Sequence, residues 1–364
     1  MQKINESKPS LFQMDIGIGG IGLSQKAVLA KNLAVMQRSG LNIVESLGII
    51  AESSQGKMKR IIKEIVSSVS AGNTLAQSLE RFPKVFSGIF VSSVYAGETS
   101  GTLDENLENL SVQLEKENDL KNKIKGAMLY PIVVLIAAFI LGLGMSFLVL
   151  PKIVPLFEGL KVELPITTRW LIAFSHFVGA HGVGLLIGIV VAVIFLSWFL
   201  RQKLVYPVTH WIFLHTPILK GISKHSNLAR FSRTLGTLLK SGLSIDEALQ
   251  VTEKSLGNYY YKKAIRTVVE RVHKGSTMSE NLKQYGNLFP KMVTRMIFVG
   301  EESGKLEETL LYLAGYYEVE VDNSTKSLST AIEPILLLII GGVVAFLALS
   351  IITPIYNITG NIRR

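Results

Sequence analysis

Two glutamates, Glu98 and Glu301, are the residues of this sequence best placed to do chemistry, because each lies in the same Gly-Glu-x-Ser-Gly-x-Leu motif. A carboxylate near the C-terminal end of a helix opposes the helix dipole, so its presence in both motifs indicates a partner. Three partners are open: a basic residue inside the fold, a basic residue on another protein, and a divalent cation. The motif members that are candidates for a partner contact or a structural turn are Gly97, Glu98, Ser100, Gly101, Leu103, Gly300, Glu301, Ser303, Gly304 and Leu306.

The other members of this motif predict a sharp turn between two helices. Glycine adopts backbone angles that other residues resist, and a serine or threonine can cap the start of the following helix. This structural role accounts for the glycines. It leaves the role of the two glutamates open.

Two glycine-rich stretches resemble phosphate-binding loops, and neither has the surroundings that such a loop needs. Residues 17–22 fit the letters of a dinucleotide fingerprint, but the pattern that follows is helical, with no second strand for a βαβ unit. Residues 300–305 are one residue short of a phosphate loop, and Leu306 stands where a serine or threonine should hold magnesium. We therefore predict no nucleotide site.

Metal and acid–base chemistry are not predicted either. The chain has no cysteine, and no helical zinc motif surrounds the histidine pairs 176/181 and 210/215. The long apolar stretches carry no Asp, Glu, Lys or Arg, which are the residues that mark ion paths and proton relays in membranes. The sequence thus predicts a protein that is not an enzyme and has no catalytic residue, no cofactor and no metal.

Both motifs belong to a longer internal repeat, and such a repeat decides the architecture. Residues 38–41 read Arg-Ser-Gly-Leu and residues 240–243 read Lys-Ser-Gly-Leu, each followed by Glu and Leu at the same distance. Prolines at matching positions frame the apolar stretch that ends each copy. The repeat signature comprises Ser39, Gly40, Glu45, Leu47, Arg230, Phe231, Ser241, Gly242, Glu247 and Leu249, and the framing prolines are Pro131, Pro151, Pro334 and Pro354.

The composition is that of a membrane protein with sizeable soluble parts, since 48% of the residues are apolar and only 18% are charged. Residues 129–150, 170–200 and 335–356 are free of charged residues. Each stretch reaches the roughly 20 residues that a helix needs to cross a membrane. We expect all three to be transmembrane helices.

The repeat and the basic residues together predict the topology. Duplicating a unit of one soluble part and one span would place the copies on opposite sides of the membrane, but the middle span has no counterpart and turns the chain back. Basic residues mark the cytoplasmic side, so both soluble parts are predicted to be cytoplasmic.

Much of the net charge of +10 lies near the membrane, which favours anionic lipid over nucleic acid as a partner. The basic residues beside the first two spans are Lys116, Lys121, Lys123, Lys125, Arg201 and Lys203.

Each copy is predicted to be a bundle of about six helices, the last of which runs towards its membrane span. Ser24 is the expected N-cap of the first helix. Capping boxes, in which two residues three apart each satisfy a free backbone N–H of the other, are expected at Asn42/Glu45, Thr74/Gln77, Ser244/Glu247 and Thr277/Glu280.

The predicted fold is therefore an all-α membrane protein with two repeated cytoplasmic helical bundles and three transmembrane helices. The expected order is a short leader at 1–23, the first bundle at 24–128, a transmembrane helix at 129–150, an outer, periplasmic loop at 151–169, a second transmembrane helix at 170–200, the second bundle at 201–333, a third transmembrane helix at 334–356 and an outer tail at 357–364.

The second copy resembles a known family. Residues 228–235, Leu-Ala-Arg-Phe-Ser-Arg-Thr-Leu, run into Lys-Ser-Gly at 240–242 and Glu-Ala-Leu at 247–249, and this pattern is similar to the signature of the type II secretion F family. The two glutamate motifs, Tyr130-Pro131, and Leu164-Pro165 with Thr168 also match. The leader before Ser24 is shorter than in many members, where a longer segment contacts the assembly ATPase.

The resemblance implies a non-enzymatic platform protein of the bacterial inner membrane, serving type IV pilus biogenesis or type II protein secretion. Such proteins form homo-oligomers and couple a hexameric cytoplasmic ATPase to the insertion or extraction of pilin or pseudopilin subunits. The implied partners are that ATPase, the transmembrane helices of pilins or pseudopilins, and other inner-membrane assembly proteins. The alternative is a membrane permease or the coupling subunit of an ATP-driven transporter.

Overall fold

The computed structural model describes residues 20–144, 155, 166–200, 202 and 205–361, and its elements in these ranges are all helices. The predicted all-α class is therefore confirmed. The expected leader up to residue 19, Pro151 and nearly all of the expected outer loop lie outside the described residues.

The first half of the chain folds into six helices between residues 20 and 144. They are α1 (Leu23–Arg38), α2 (Ile43–Ser53), α3 (Gly56–Ser70), α4 (Leu75–Glu80), α5 (Gly88–Ser100) and α6 (Leu103–Gly144). The middle of the chain contributes α7 (Ile166–Phe199) and α8 (Tyr206–His215). The rest forms α9 (Pro217–Lys240), α10 (Ile245–Ser255), α11 (Tyr259–Val272), α12 (Met278–Lys283), α13 (Lys291–Ser303) and α14 (Leu306–Asn361).

Helices of matching length follow in the same order in the two halves. The helices α2 and α10 have 11 residues each, α4 and α12 have six each, and α5 and α13 have 13 each. In both halves the last and longest helix begins directly after the Gly-Glu-x-Ser-Gly-x motif.

The helix starts confirm some of the predicted caps and correct others. Thr74 forms the full capping box with Gln77, and so does Ser244 with Glu247. Asn42 caps α2 by accepting the backbone N–H of Glu45 (2.8 Å). Ser24 was wrong as the first cap, because the N-cap is Gly22, two residues earlier, and Ser24 lies inside α1. The Thr277/Glu280 box was also wrong, since the Thr277 side chain makes no capping hydrogen bond.

Each half has its own apolar core. In the first, Leu33, Ile62, Phe90 and Leu107 come from four different helices and are at most 2% exposed. In the second, the fully buried ring of Phe289 meets Phe231 and Tyr261 edge-on, with centroids 5.2 and 5.3 Å away. Edge-to-face aromatic pairs of this kind add stability beyond the area that they bury.

Tyr261 is held in this core by a polar contact as well as by packing. Its hydroxyl donates to the Leu288 carbonyl oxygen at 2.8 Å, and burial raises its pKa, so the phenol stays a neutral donor. We expect Tyr261→Phe to destabilise the protein by about 1 kcal/mol, because the carbonyl loses its donor. Thermal unfolding of the detergent-solubilised full chain measures this. Tyr95→Phe, at a tyrosine whose side chain is exposed, is the control and should change nothing.

The two halves, each with its own core, pack against one another. One compact unit contains residues up to Lys121 together with Lys224–Val319, and a second contains residues 122–223 and 320–364. Within the first unit α5 contacts α10. The Asn106 side chain donates to the Ser241 carbonyl oxygen (3.2 Å), and Thr237 donates to Gln113 Oε1 (3.2 Å). Both contacts are buried, so helices of the first and second copies share one interior.

Two described helices are long and apolar enough to cross a membrane, at 103–142 within α6 and 306–350 within α14. The helix α7 passes the same test only as a pair of segments, Thr168–Gly182 and Ile187–Phe199, which are bent by 83°. Gly182 and Gly184 lie at this bend, where glycine weakens the preference for a straight helix. The sequence predicted a single transmembrane helix here, and the structure differs from that prediction by this bend.

Three of the predicted boundaries fall inside helices. The helix α6 continues through residues 128 and 129, and α14 continues through 333 and 334 and also through 356 and 357. Pro131 and Pro334 therefore lie inside continuous helices, as does Pro354. A membrane helix tolerates proline because neighbouring groups can satisfy the backbone carbonyl that loses its donor.

Candidate functional site

Glu98 lies in the last turn of α5 and binds the start of another helix. The backbone N–H of Leu75 donates to Glu98 Oε1 (2.6 Å), and that of Ala76 donates to Oε2 (2.9 Å). Leu75 and Ala76 are the first two residues of α4. Their N–H groups have no partner within that helix, because the first four donors of any helix are left free.

Glu301 repeats this arrangement in the second half. The backbone N–H of Met278 donates to Glu301 Oε1 (2.7 Å), and that of Ser279 donates to Oε2 (3.1 Å). Met278 and Ser279 begin α12, the counterpart of α4. The two glutamates therefore accept the same pair of backbone N–H groups at equivalent positions. This shared role explains why the motif occurs twice.

The electrostatics of this contact explains how a carboxylate is tolerated near the C-terminal end of its helix. A carboxylate is unfavourable at the C-terminal end of its own helix and favourable at the N-terminal end of another. Hydrogen bonds from N–H groups to a charged acceptor are also stronger than neutral ones. The observed partner is thus a pair of main-chain N–H groups, which was not among the three partners left open. No cluster of three or more metal-ligating side chains occurs among the described residues.

The glycines of the motif serve close packing and chain reversal. A Cβ on Gly97 would lie 2.8 Å from Leu103 Cα, and one on Gly300 would lie 3.1 Å from Leu306 Cα. Gly101 and Gly304 end their helices in the left-handed region, with φ of +72° and +67°, which L side chains rarely adopt. The glycines let the chain turn tightly enough to bring each long helix against the one before it.

The serines of the motif bind the last turn of their own helices rather than the start of the following one. Ser100 donates to the Ala96 carbonyl oxygen and Ser303 to that of Val299, both at 2.7 Å. Each serine is the last residue of its own helix. The motif leucines, Leu103 and Leu306, begin the long helices and are half-buried.

The second repeat signature also ends one helix and begins the next. Gly40 and Gly242 have φ of +84° and +88° and follow α1 and α9. Leu47 and Leu249 are buried at 1% and 0% exposure. The other members lie within or beside these same elements, namely Ser39, Glu45, Arg230, Phe231, Ser241 and Glu247.

The remaining candidates lack the surroundings of a reactive site in the part of the chain that the structure describes. Residues 17–19 lie outside it, and Gly22 is the N-cap of α1 rather than part of a loop after a strand. Residues 300–303 are helical. His181 stacks on Phe177 (5.4 Å), and His215 stacks on Trp211 (4.3 Å) and contacts its carbonyl oxygen through Nδ1 (2.9 Å).

Sequence reasoning missed the contacts that join the two halves. Asn106, Gln113 and Thr237 are buried at 2%, 2% and 5% exposure, and a buried polar side chain needs a hydrogen-bond partner. The available signal was polar residues on otherwise apolar helix faces. A groove of 640 Å³ runs along the junction of α5 and α10, with Val91, Tyr95 and Lys254 among its lining residues.

Comparison with known proteins places these elements in a family. The model of the family described as type II secretion system (T2SS), protein F, matches the chain twice, at residues 29–151 and 231–354. The type IV pilus assembly protein PilC of Thermus thermophilus is 34% identical over 348 residues, which cover 94% of this chain and 84% of that protein. PilC of Myxococcus xanthus is 34% identical over 371 residues, covering 100% and 88%.

A relative named for type II secretion is aligned over a similar share of both chains. The type II secretion system protein F of Aeromonas hydrophila is 31% identical over 346 residues, which cover 94% of this chain and 89% of that protein. The two matched segments each contain one glutamate motif, the first contains all of α6, and the second contains most of α14. This chain belongs to the type II secretion system protein F family.

Proposed function

We propose that this chain is the inner-membrane platform protein of a machine that assembles a type IV pilus or drives type II secretion. The observation that carries the proposal is the nearly full-length match to relatives named for both machines. The two membrane-length helices support a place in the inner membrane.

The platform would transmit work rather than perform chemistry. In this proposal a hexameric cytoplasmic ATPase supplies the energy, and the platform couples it to the movement of pilin or pseudopilin helices out of the bilayer. Other inner-membrane assembly proteins and anionic lipid are further proposed partners. Glu98 and Glu301 hold the short helices α4 and α12 in place. A rigid cytoplasmic part of this kind suits a protein that transmits force.

We also propose three membrane crossings, with both halves in the cytoplasm. This placement is supported by the compact unit that contains residues of both halves. The chain between them must then cross an even number of times. The apolar segment of α6 and the bent α7 satisfy this count if α7 crosses, whereas a re-entrant α7 leaves the halves on opposite sides.

Topology is tested with reporter fusions in the host membrane. Fluorescent reporters placed after residues 121 and 223 should both be active in the cytoplasm, and alkaline phosphatase at these positions should be inactive. A fusion after residue 155 is the control for the outer side. Opposite activities for the 121 and 223 fusions would remove the proposed topology.

The platform role is tested by association and by loss of function. Tagged full-length protein, extracted with mild detergent, should retain the assembly ATPase of the same machine. Cells lacking the chain should lose surface pili or secreted proteins until it is restored. Absence of the ATPase both in detergent and after cross-linking in cells would contradict the proposal. Solute flux in reconstituted vesicles would support the permease alternative instead.

A further inference from the structure

The contact between the two halves is the starting point for a further interaction. Ile89 on α5 is only 4% exposed, yet it lies outside the first-half core cluster. Its neighbour Gly88 faces α10, since a Cβ there would lie 3.9 Å from Val251 Cγ1. Alongside, α6 meets α9 through Gln113 and Thr237. The helices α5 and α6 of the first half thus pack against α9 and α10 of the second, and we call this contact the internal junction.

The repeat gives each side of the internal junction a counterpart. The counterparts of α5 and α6 are α13 and α14, and those of α9 and α10 are α1 and α2. The matched positions on α13 and α14 are 203 residues further along, as Glu301 follows Glu98. Those on α1 and α2 are 202 residues earlier, as Gly40 precedes Gly242. Neither counterpart surface is covered within the described chain.

The counterpart positions carry exposed apolar side chains. Met292, the counterpart of Ile89, is 39% exposed, and Ile49, the counterpart of Val251, is 43% exposed. Tyr316 replaces Gln113 and is 40% exposed, while Val35 replaces Thr237 and is 50% exposed. Side chains of this kind are covered or hydrogen-bonded in the internal junction, whereas here they face solvent.

These exposed apolar residues fall into two sets. The first, which we call the α1/α2 face, comprises Val28, Val35 and Ile49. The second, the α13/α14 face, comprises Met292, Phe298, Val299, Tyr312, Tyr316 and Val319. Residues four and seven apart lie on the same side of a helix, as do Val28 with Val35, Met292 with Val299 and Tyr312 with Tyr316. Contiguous exposed apolar patches mark interaction sites.

We propose that the α13/α14 face of one chain docks on the α1/α2 face of a second copy and so repeats the internal junction between molecules. The chain itself supplies the template: it already joins a first half to a second half through the equivalent helices. A second copy offers each face the shape that its counterpart meets inside the chain. The contact is expected in a pilus machine and in a secretion machine alike, because it involves only surfaces of this chain.

Charges on the two faces are complementary. The helix α2 carries Glu45 and Glu52, whose internal-junction counterparts are Glu247 and Lys254. The facing helix α13 carries Lys291 and Arg295, where α5 has Gly88 and Ser92. Opposite charges on facing surfaces orient the partners and disfavour wrong ones. The acidic α2 and the basic start of α13 thus suit each other and fix a head-to-tail register.

The contact is heterologous, since each chain uses one face to bind the next chain's other face. Interfaces of this type generate closed rings when the rotation between units allows it. A heterologous contact makes a specific prediction. The α13/α14 face must bind the α1/α2 face, and neither face should bind a second copy of the same face. A symmetric contact of either face with itself is a different interface.

Cysteine cross-linking tests this contact directly, because the natural chain contains no cysteine. Val35 and Tyr316 are the counterparts of Thr237 and Gln113, whose side chains touch at 3.2 Å in the internal junction. Full-length Val35→Cys and Tyr316→Cys proteins, co-expressed in the native membrane and oxidised, should give a disulfide-linked dimer. Each variant expressed alone should give none. Val112→Cys with Tyr259→Cys, exposed positions outside both faces, is the matched control pair.

Two outcomes would overturn the proposal. One is a mixed pair that links no better than the control pair, and the other is strong linking of either variant with itself. As a second readout, Val35→Glu should weaken self-association at least about tenfold, because a charge would be buried in the contact. The mass of the detergent complex measures this. Val112→Glu should leave that mass unchanged, and equal unfolding temperatures would show that both variants are folded.

Discussion

Replacing Glu98 with alanine is expected to lower the free energy of unfolding by about 2–4 kcal/mol, since two hydrogen bonds to a charged acceptor are lost together. The backbone N–H groups of Leu75 and Ala76 would be left beside an apolar side chain. The helix α4 has only six residues, too few to persist without tertiary contacts. We expect the same loss for Glu301→Ala, through Met278 and Ser279 at α12.

Three variants separate this role from a docking role. Glu98→Gln keeps the shape and one acceptor, so it should fall between the wild type and alanine. Glu302→Ala removes an exposed carboxylate next to Glu301 and should be nearly neutral. Thermal unfolding of the full chain in detergent compares them. A Glu98→Ala protein with wild-type stability that no longer binds the assembly ATPase would show that the glutamate is a partner contact instead.

Gly97→Ala is expected to cost about 2–3 kcal/mol, as overpacking of a closely packed site does. The new methyl group would lie 2.8 Å from Leu103 Cα and 3.1 Å from Asn106 Cβ. Main chain cannot rotate away as a flexible side chain can, so α5 and α6 must separate. Asn106 also carries the buried hydrogen bond to Ser241, and a shift of α6 weakens the internal junction as well.

Two other glycines provide the controls for this prediction. Gly300→Ala should cost less, because the nearest main-chain atom, Leu306 Cα, would lie 3.1 Å from the new methyl group, compared with 2.8 Å at Gly97. Gly126→Ala lies in the middle of α6 with nothing within 4 Å. There alanine should stabilise the helix by up to about 1 kcal/mol. Equal effects of Gly97→Ala and Gly126→Ala on the unfolding temperature would contradict the close-packing account.

Local patterns in the sequence predicted the helices because those signals lie within a few residues of one another. The capping boxes at Thr74 and Ser244 need only a partner three residues away, and both form. Periodicity was less informative about burial. In α1, Leu29 and Leu33 are core residues, whereas the apolar Val28 beside Leu29 is 54% exposed. A pattern shows that a helix has an apolar side, and the fold decides what covers it.

The partner of the two glutamates could not be read from the sequence for a different reason. Each carboxylate binds main-chain N–H groups that are 22 and 23 residues away. Every residue except proline has such a donor, so no residue type marks the site.

The shared interior of the two halves has a consequence for synthesis. The helices α5 and α6 leave the ribosome well before α9 and α10, which cover them in the finished protein. At typical translation rates this interval is on the order of ten seconds. During that time an incomplete apolar surface is open to chaperones, to the lipid surface or to a neighbouring nascent chain. Ribosomes that follow one another on the same message therefore bring complementary halves close together before either protein is finished.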